Sequence, residues 1–140
     1  MTDADTPRVL MRPVALPDAR VLIDRIRASE MSVADPPTKV CLCGSTRFWG
    51  LLAEANLRFT AAGAIVLAPG VDMKRPHELW TDPEAAARLK RRLDRLHRHK
   101  IADSAHVVVV TDETGYAGSS TRGELAYAQR LGITAWHWRP

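Results

Sequence analysis

Four consecutive valines, Val107 to Val110, restrict most what this chain can fold into. β-branched side chains at every position, rather than at alternate ones, suit a strand covered on both faces. That is the situation of a strand inside a parallel sheet layered between helices. The chain then changes character. Gly115, Gly118, Ser119, Ser120 and Thr121 are small or hydroxyl-bearing and lie where the first N–H groups of a following helix lack partners. Such a turn can hold an anion or a sugar. Glu124 follows within the first turn or so of that helix, where the helix dipole favours a carboxylate by about 0.3–1 kcal/mol. On local pattern alone Glu124 has two readings: a nucleophile at a site, or part of a capping box with Ser120 or Thr121 as N-cap.

The same strand, turn and helix pattern recurs along the chain. Lys39 to Cys43 is short, apolar and β-rich, and runs into Gly44, Ser45, Thr46 and Arg47 before Phe48, Leu52, Ala55 and Phe59 recur at helical spacing. Gly63 ends that helix and Ala64 to Ala68 forms a second strand. A long connection, residues 69 to 81, carries Asp72, Lys74, Arg75, His77 and Trp80; loops of that length often cover a site, the competing reading being a solvated surface loop. Asp82 and Pro83 open a helix with Leu89, Leu93 and Leu96 as its apolar stripe and His97 at the stripe's edge, within reach of a pocket. After the valine strand and its helix, Gly132 precedes a fourth strand, Ile133 to Trp138.

This alternation predicts an α/β fold with an open parallel sheet, helices on both faces, of Rossmann or flavodoxin type, in strand order 2-1-3-4. Ligands bind such sheets beyond the carboxyl ends of the strands. Residues 44 to 47, the 69 to 81 loop and residues 112 to 124 are therefore expected around one crevice. Upstream, Pro7, Pro13 and Pro17 suggest an extended lead-in, residues 18 to 29 an amphipathic helix, and Asp35, Pro36 and Pro37 a linker. The expected organisation is an extension over 1–37 and a single α/β domain over 38–140.

Length and charge set further bounds. At 140 residues the chain suits one domain with a real core. Its net charge of +4 favours anionic ligands such as nucleotides. The basic residues between 88 and 100 are read as the wet face of a helix rather than a nucleic-acid footprint, so nucleic acid is not an expected partner. Cys41 and Cys43 are expected on opposite faces of their strand, as buried thiols of a reducing compartment. A C-x-C pair without further cysteines is a poor metal site, and neither His97 nor His99 has a carboxylate at ligand spacing, so neither a metal nor a cofactor is called for. No apolar run approaches a membrane span and the first residues lack a signal pattern, so no membrane partner and a cytoplasmic location are expected. The G-x-G-x-x-G, G-K-[ST] and G-x-S-x-G motifs are missing, which disfavours NAD binding, NTP hydrolysis and a serine-hydrolase elbow. Gly44 to Arg47 remains a phosphate cradle, with Arg47 able to make paired charge-assisted bonds.

Taken together, CLCGSTRFWGLLAEAN, LHRHKIADSAHVVVV and GYAGSSTRGELAYAQRLGI resemble, in order, the nucleoside 2-deoxyribosyltransferase superfamily, which includes nucleoside 5′-monophosphate N-glycosidases. The likeness covers residues 38 to 139. It implies cleavage or transfer at the N-glycosidic bond of a nucleotide or nucleoside, with Glu124 in the position of the glutamate that attacks C1′ of the sugar. Carboxylates beside an oxocarbenium ion are what glycosidases use. Ser45 and Arg47 match positions that hold the 5′-phosphate, with Gly44 and Thr46 in the same bend, and Gly118, Ser119 and Ser120 resemble a second phosphate loop. Asp72 and His77 become candidates for base recognition or leaving-group protonation. The resemblance also departs in places. Cys41 stands where related enzymes have a tyrosine, which leaves Tyr116 as the candidate for that task. No acidic residue on the helix before the third strand is in register, which leaves Asp112 as the candidate second catalytic carboxylate. A homodimer is implied, with the C-terminal tryptophans as candidates for its surface. The competing class is a module of the same fold that binds a nucleotide without turning it over.

Overall fold

The computed structural model describes residues 15–29 and 35–140, so the expected lead-in at Pro7 and Pro13 lies outside the described residues. Four parallel strands form one sheet in the order β2-β1-β3-β4: β1 (Lys39–Cys43), β2 (Ile65–Leu67), β3 (His106–Val110) and β4 (Thr134–Trp138). Cys41 lies beside Leu67 on one side and Val107 on the other, and Val108 pairs with Trp136. Val107 to Val110 are all buried, as their unbroken β-branched run requires.

Parity along the strands decides which helices each residue meets. Val40, Leu42, Val108, Val110, Trp136 and Trp138 share a core with α1 (Ala19–Ala28) and α2 (Trp49–Ala62), through Leu22, Ile23, Ile26, Leu52, Ala55 and Phe59. Cys41, Cys43, Val107 and Val109 point the other way, toward α3 (Pro83–Ala102) and α4 (Ser119–Arg130), where Ile101, Leu125 and Ala128 cover them. The two cysteines thus share a face, contrary to the expectation above: residues two apart in a strand have the same orientation.

Helix α1 packs in the same core as the sheet, so packing does not stop at Thr38. Asp18 caps it by accepting from the Arg20 N–H at 2.9 Å, and its backbone bridges to His137 of β4. Trp136 and Trp138 lie buried beneath this helix, with Arg25 and Arg20 over their rings. They are therefore spent on the interior rather than on a dimer surface.

Glycines act where the backbone demands them. Gly63 ends α2 at a φ of 106°, in the left-handed region. A Cβ on Gly44 would sit 2.8 Å from the Val110 carbonyl oxygen, so only glycine lets the end of β1 approach the end of β3 this closely. That contact lies at the switch point of the sheet, where the chain leaves β1 toward β2 and leaves β3 toward β4. Crevices open at such points.

Candidate functional site

A cavity of about 450 Å³ lies at this switch point. Its walls are the bend after β1 (Gly44, Ser45, Thr46), the loop after β2 (Pro69 to Val71, Met73, Lys74), one face of α3, and the start of α4 (Ser119 to Thr121, Glu124). The stripe on α3 contributes Leu93 and Leu96 here. Leu96 is 47% exposed, so this part of the stripe walls the cavity instead of filling the core.

Helix α4 begins earlier than expected, with Gly118 as N-cap and Ser119 as its first residue. Glu124 consequently stands in the second turn and takes no part in a capping box. Thr121 is buried, and the glutamate side chain, 23% exposed, lines the cavity and meets His97 at 3.5 Å.

His97 is the residue that sequence reasoning valued too little. Its Nε2 lies 3.4 Å from Cys43 Sγ, 4.0 Å from Cys41 Sγ and 3.5 Å from Glu124 Oε2. Burial pushes its pKa down, but hydrogen bonding to Cys41 and Glu124 and their negative charge outweigh this and lift it to about 10. Opposite directions separate the thiols. Cys41 is lowered, first by a hydrogen bond from Cys43 and, against burial, by His97. Cys43 is raised, by that same bond to Cys41, by burial and by the charge of Glu124. Its place one turn beyond Leu93, at the edge of the apolar stripe, was the only local sign of this position.

The bend after β1 keeps the geometry of a cradle. Ser45 Oγ accepts from the Arg47 N–H at 3.3 Å, and Thr46 Oγ1 accepts from Lys74 Nζ at 2.7 Å. Lys74, from the long loop, thereby brings positive charge to the bend. Arg47 does not line the cavity; its guanidinium lies 5.0 Å from the Tyr116 ring centre and 6.0 Å from that of Phe48. Lys90 and Lys100 also line the cavity, and Lys100 donates to the Ala68 carbonyl at 2.8 Å, tying α3 to the end of β2.

Other expected site residues are placed elsewhere. Asp112 accepts from the Thr114 N–H and hydroxyl within its own turn and is not among the cavity-lining residues. Tyr116 is buried under Arg47. Asp72 caps the Lys74 N–H and pairs with Arg75 at 3.4 Å, and His77 caps Leu79 and stacks on Trp80 at 4.7 Å. Both organise the loop; neither lines the cavity. Gly118 caps α4 behind Ser119 and Ser120, which do line it. The carboxylates at the cavity are Glu124 and Asp94, the latter paired with Lys90 at 3.6 Å.

No family model, no curated protein and no solved structure matches this chain. Among the described residues, no helix is long and apolar enough to cross a membrane.

Proposed function

We propose that the protein cleaves, or transfers at, the N-glycosidic bond of a nucleoside 5′-monophosphate. The observation that carries this reading is that Glu124 opens into the same cavity as Ser45 and Thr46 on one side and Ser119 and Ser120 on the other. A sugar phosphate needs that combination: a carboxylate at the anomeric carbon, hydroxyl and N–H donors for the phosphate, and a concave site. The resemblance of three ordered segments to nucleoside 2-deoxyribosyltransferases points the same way.

In this reading the phosphate rests on the bend at Ser45 and Thr46, with Lys74 as its counter-charge in place of Arg47. The start of α4 contributes N–H groups and the Ser119 and Ser120 hydroxyls. Leu93 and Leu96 offer an apolar wall to the planar base, with Asp94 beside them. The Glu124 carboxylate bonds to C1′ as the C1′–N bond breaks, and the base departs with that electron pair and takes up a proton. Water, or a second base, then adds to C1′ and frees Glu124. His97, carrying positive charge at neutral pH, fixes the carboxylate's orientation.

The test is release of free base from a panel of ribo- and deoxyribonucleoside monophosphates, followed by chromatography. The wild-type protein releases base from at least one of them, and Glu124→Ala abolishes release while keeping its circular dichroism spectrum. Activity retained in that variant removes the mechanism. Tight monophosphate binding with no base released would instead assign the chain to the non-catalytic binding class.

A further inference from the structure

Two thiols and an imidazole meet beneath the cavity, and catalysis by Glu124 requires neither thiol. Cys41 Sγ, Cys43 Sγ and a ring nitrogen of His97 lie within 4.8 Å of one another. Glu124 Oε2 approaches the same nitrogen at 3.5 Å. Hydrogen bonding alone accounts poorly for this convergence, because one imidazole nitrogen carries at most one hydrogen and here has three partners.

A metal ion accounts for it better. Around a tetrahedral zinc ion, bonds of about 2.3 Å to sulfur and about 2.0–2.1 Å to nitrogen or oxygen place a sulfur and a nitrogen about 3.5 Å apart, and a nitrogen and an oxygen about 3.3 Å apart. The observed separations from His97 Nε2 are 3.4 Å to Cys43, 3.5 Å to Glu124 and 4.0 Å to Cys41. The separations from His97 to Cys43 and Cys41 approximate two nitrogen–sulfur edges of such a tetrahedron, and both sulfurs and the nitrogen lie within 4.8 Å of one another. The donors also come from regular elements: both thiols from one face of β1 and the imidazole from α3. Two sulfurs and an imidazole are soft to borderline ligands, suited to zinc rather than to magnesium or calcium.

We propose that Cys41, Cys43 and His97 form a three-residue binding site for a thiophilic divalent cation of the zinc class, its fourth position open toward the cavity beside Glu124. The thiols are fully buried, whereas the His97 and Glu124 side chains are 11% and 23% exposed, so a cation enters from the cavity. A bound cation takes up the His97 nitrogen that otherwise pairs with Glu124, the carboxylate of the proposed glycosidase reaction. Metal loading is therefore expected to lower base release, a coupling that rests on the proposed glycosidase function. The site itself does not depend on the glycosidase reading.

The experiment is a titration of the metal-free, reduced full-length protein with Co2+, followed by absorption. Expected are thiolate-to-cobalt charge-transfer bands with tetrahedral ligand-field bands, saturating at one ion per chain and abolished by added Zn2+. Cys43→Ser and His97→Gln should each weaken Co2+ binding at least about tenfold, since loss of even an outer partner of a metal ligand costs about 10–100-fold. Folded wild-type protein that shows no thiolate bands overturns the site, whatever the variants do. Bands unchanged in a folded Cys43→Ser variant overturn it too. Base release is assayed separately with a chelator present, so failure of the reaction and failure of the metal site are distinguishable.

Discussion

His106 shows how a single side chain ties pH to the fold. Trp136 Nε1 donates to its Nδ1 at 3.1 Å, which requires that nitrogen to be unprotonated. Burial, and then the charge of Arg25, lower the His106 pKa from 6.5. The unfolded chain therefore binds the proton more readily, and the stability tied to neutral His106 is present above about pH 6.5 and is lost as pH falls toward the folded pKa. His137, lowered first by burial and then by Arg139, acts in the same direction. His97 acts oppositely: its contribution is complete below the unfolded value and fades only as pH rises through about 10. The His106 share is isolated by urea denaturation of the wild type and of His106→Gln on both sides of pH 6.5. The difference between the two proteins should shrink on acidification. A difference that grows would contradict this account.

At the scale of elements, α1 covers the two tryptophans of β4. Leu22, Ile23 and Ile26 are at most 6% exposed and stand at helical spacing, so the helix contributes as core. Leu22→Ala should cost about 2–5 kcal/mol in urea denaturation, the range for a buried leucine, and should alter tryptophan emission. A loss under about 1 kcal/mol would make α1 an appendage. The strands and the helices around them were legible because burial imprints local patterns: four valines for β3, the spacing of Leu52, Ala55 and Phe59 for α2, glycine after α2. The start of α4 was harder to read. Ser120 and Thr121 are good caps by composition, but Gly118 takes the role and Thr121 is drawn into the interior. The N-terminal pattern showed an amphipathic helix, yet nothing local indicated that its apolar side meets Trp136 and Trp138.

Across the whole molecule, sheet order determines what the cavity contains. Because β1 and β3 are neighbours whose chains leave in opposite directions, the bend at Gly44 and the start of α4 face one space, although they lie far apart in sequence. The crevice was legible from strand order. Its charged lining was not: Lys74 reaches Thr46 across 28 residues, and His97 reaches Cys43 across 54. Arg47 was the natural phosphate ligand by motif, yet its guanidinium lies over Tyr116 and leaves the bend to Lys74. The most direct test of whether these distant segments make one nucleotide site is backbone-amide NMR of the full-length Glu124→Ala variant, titrated with nucleoside monophosphates. The prediction is that Ser45, Thr46, Ser119 and Ser120 shift together and saturate at a common concentration. Shifts confined to the outer face of α3, or no shifts at saturating nucleotide, would contradict it.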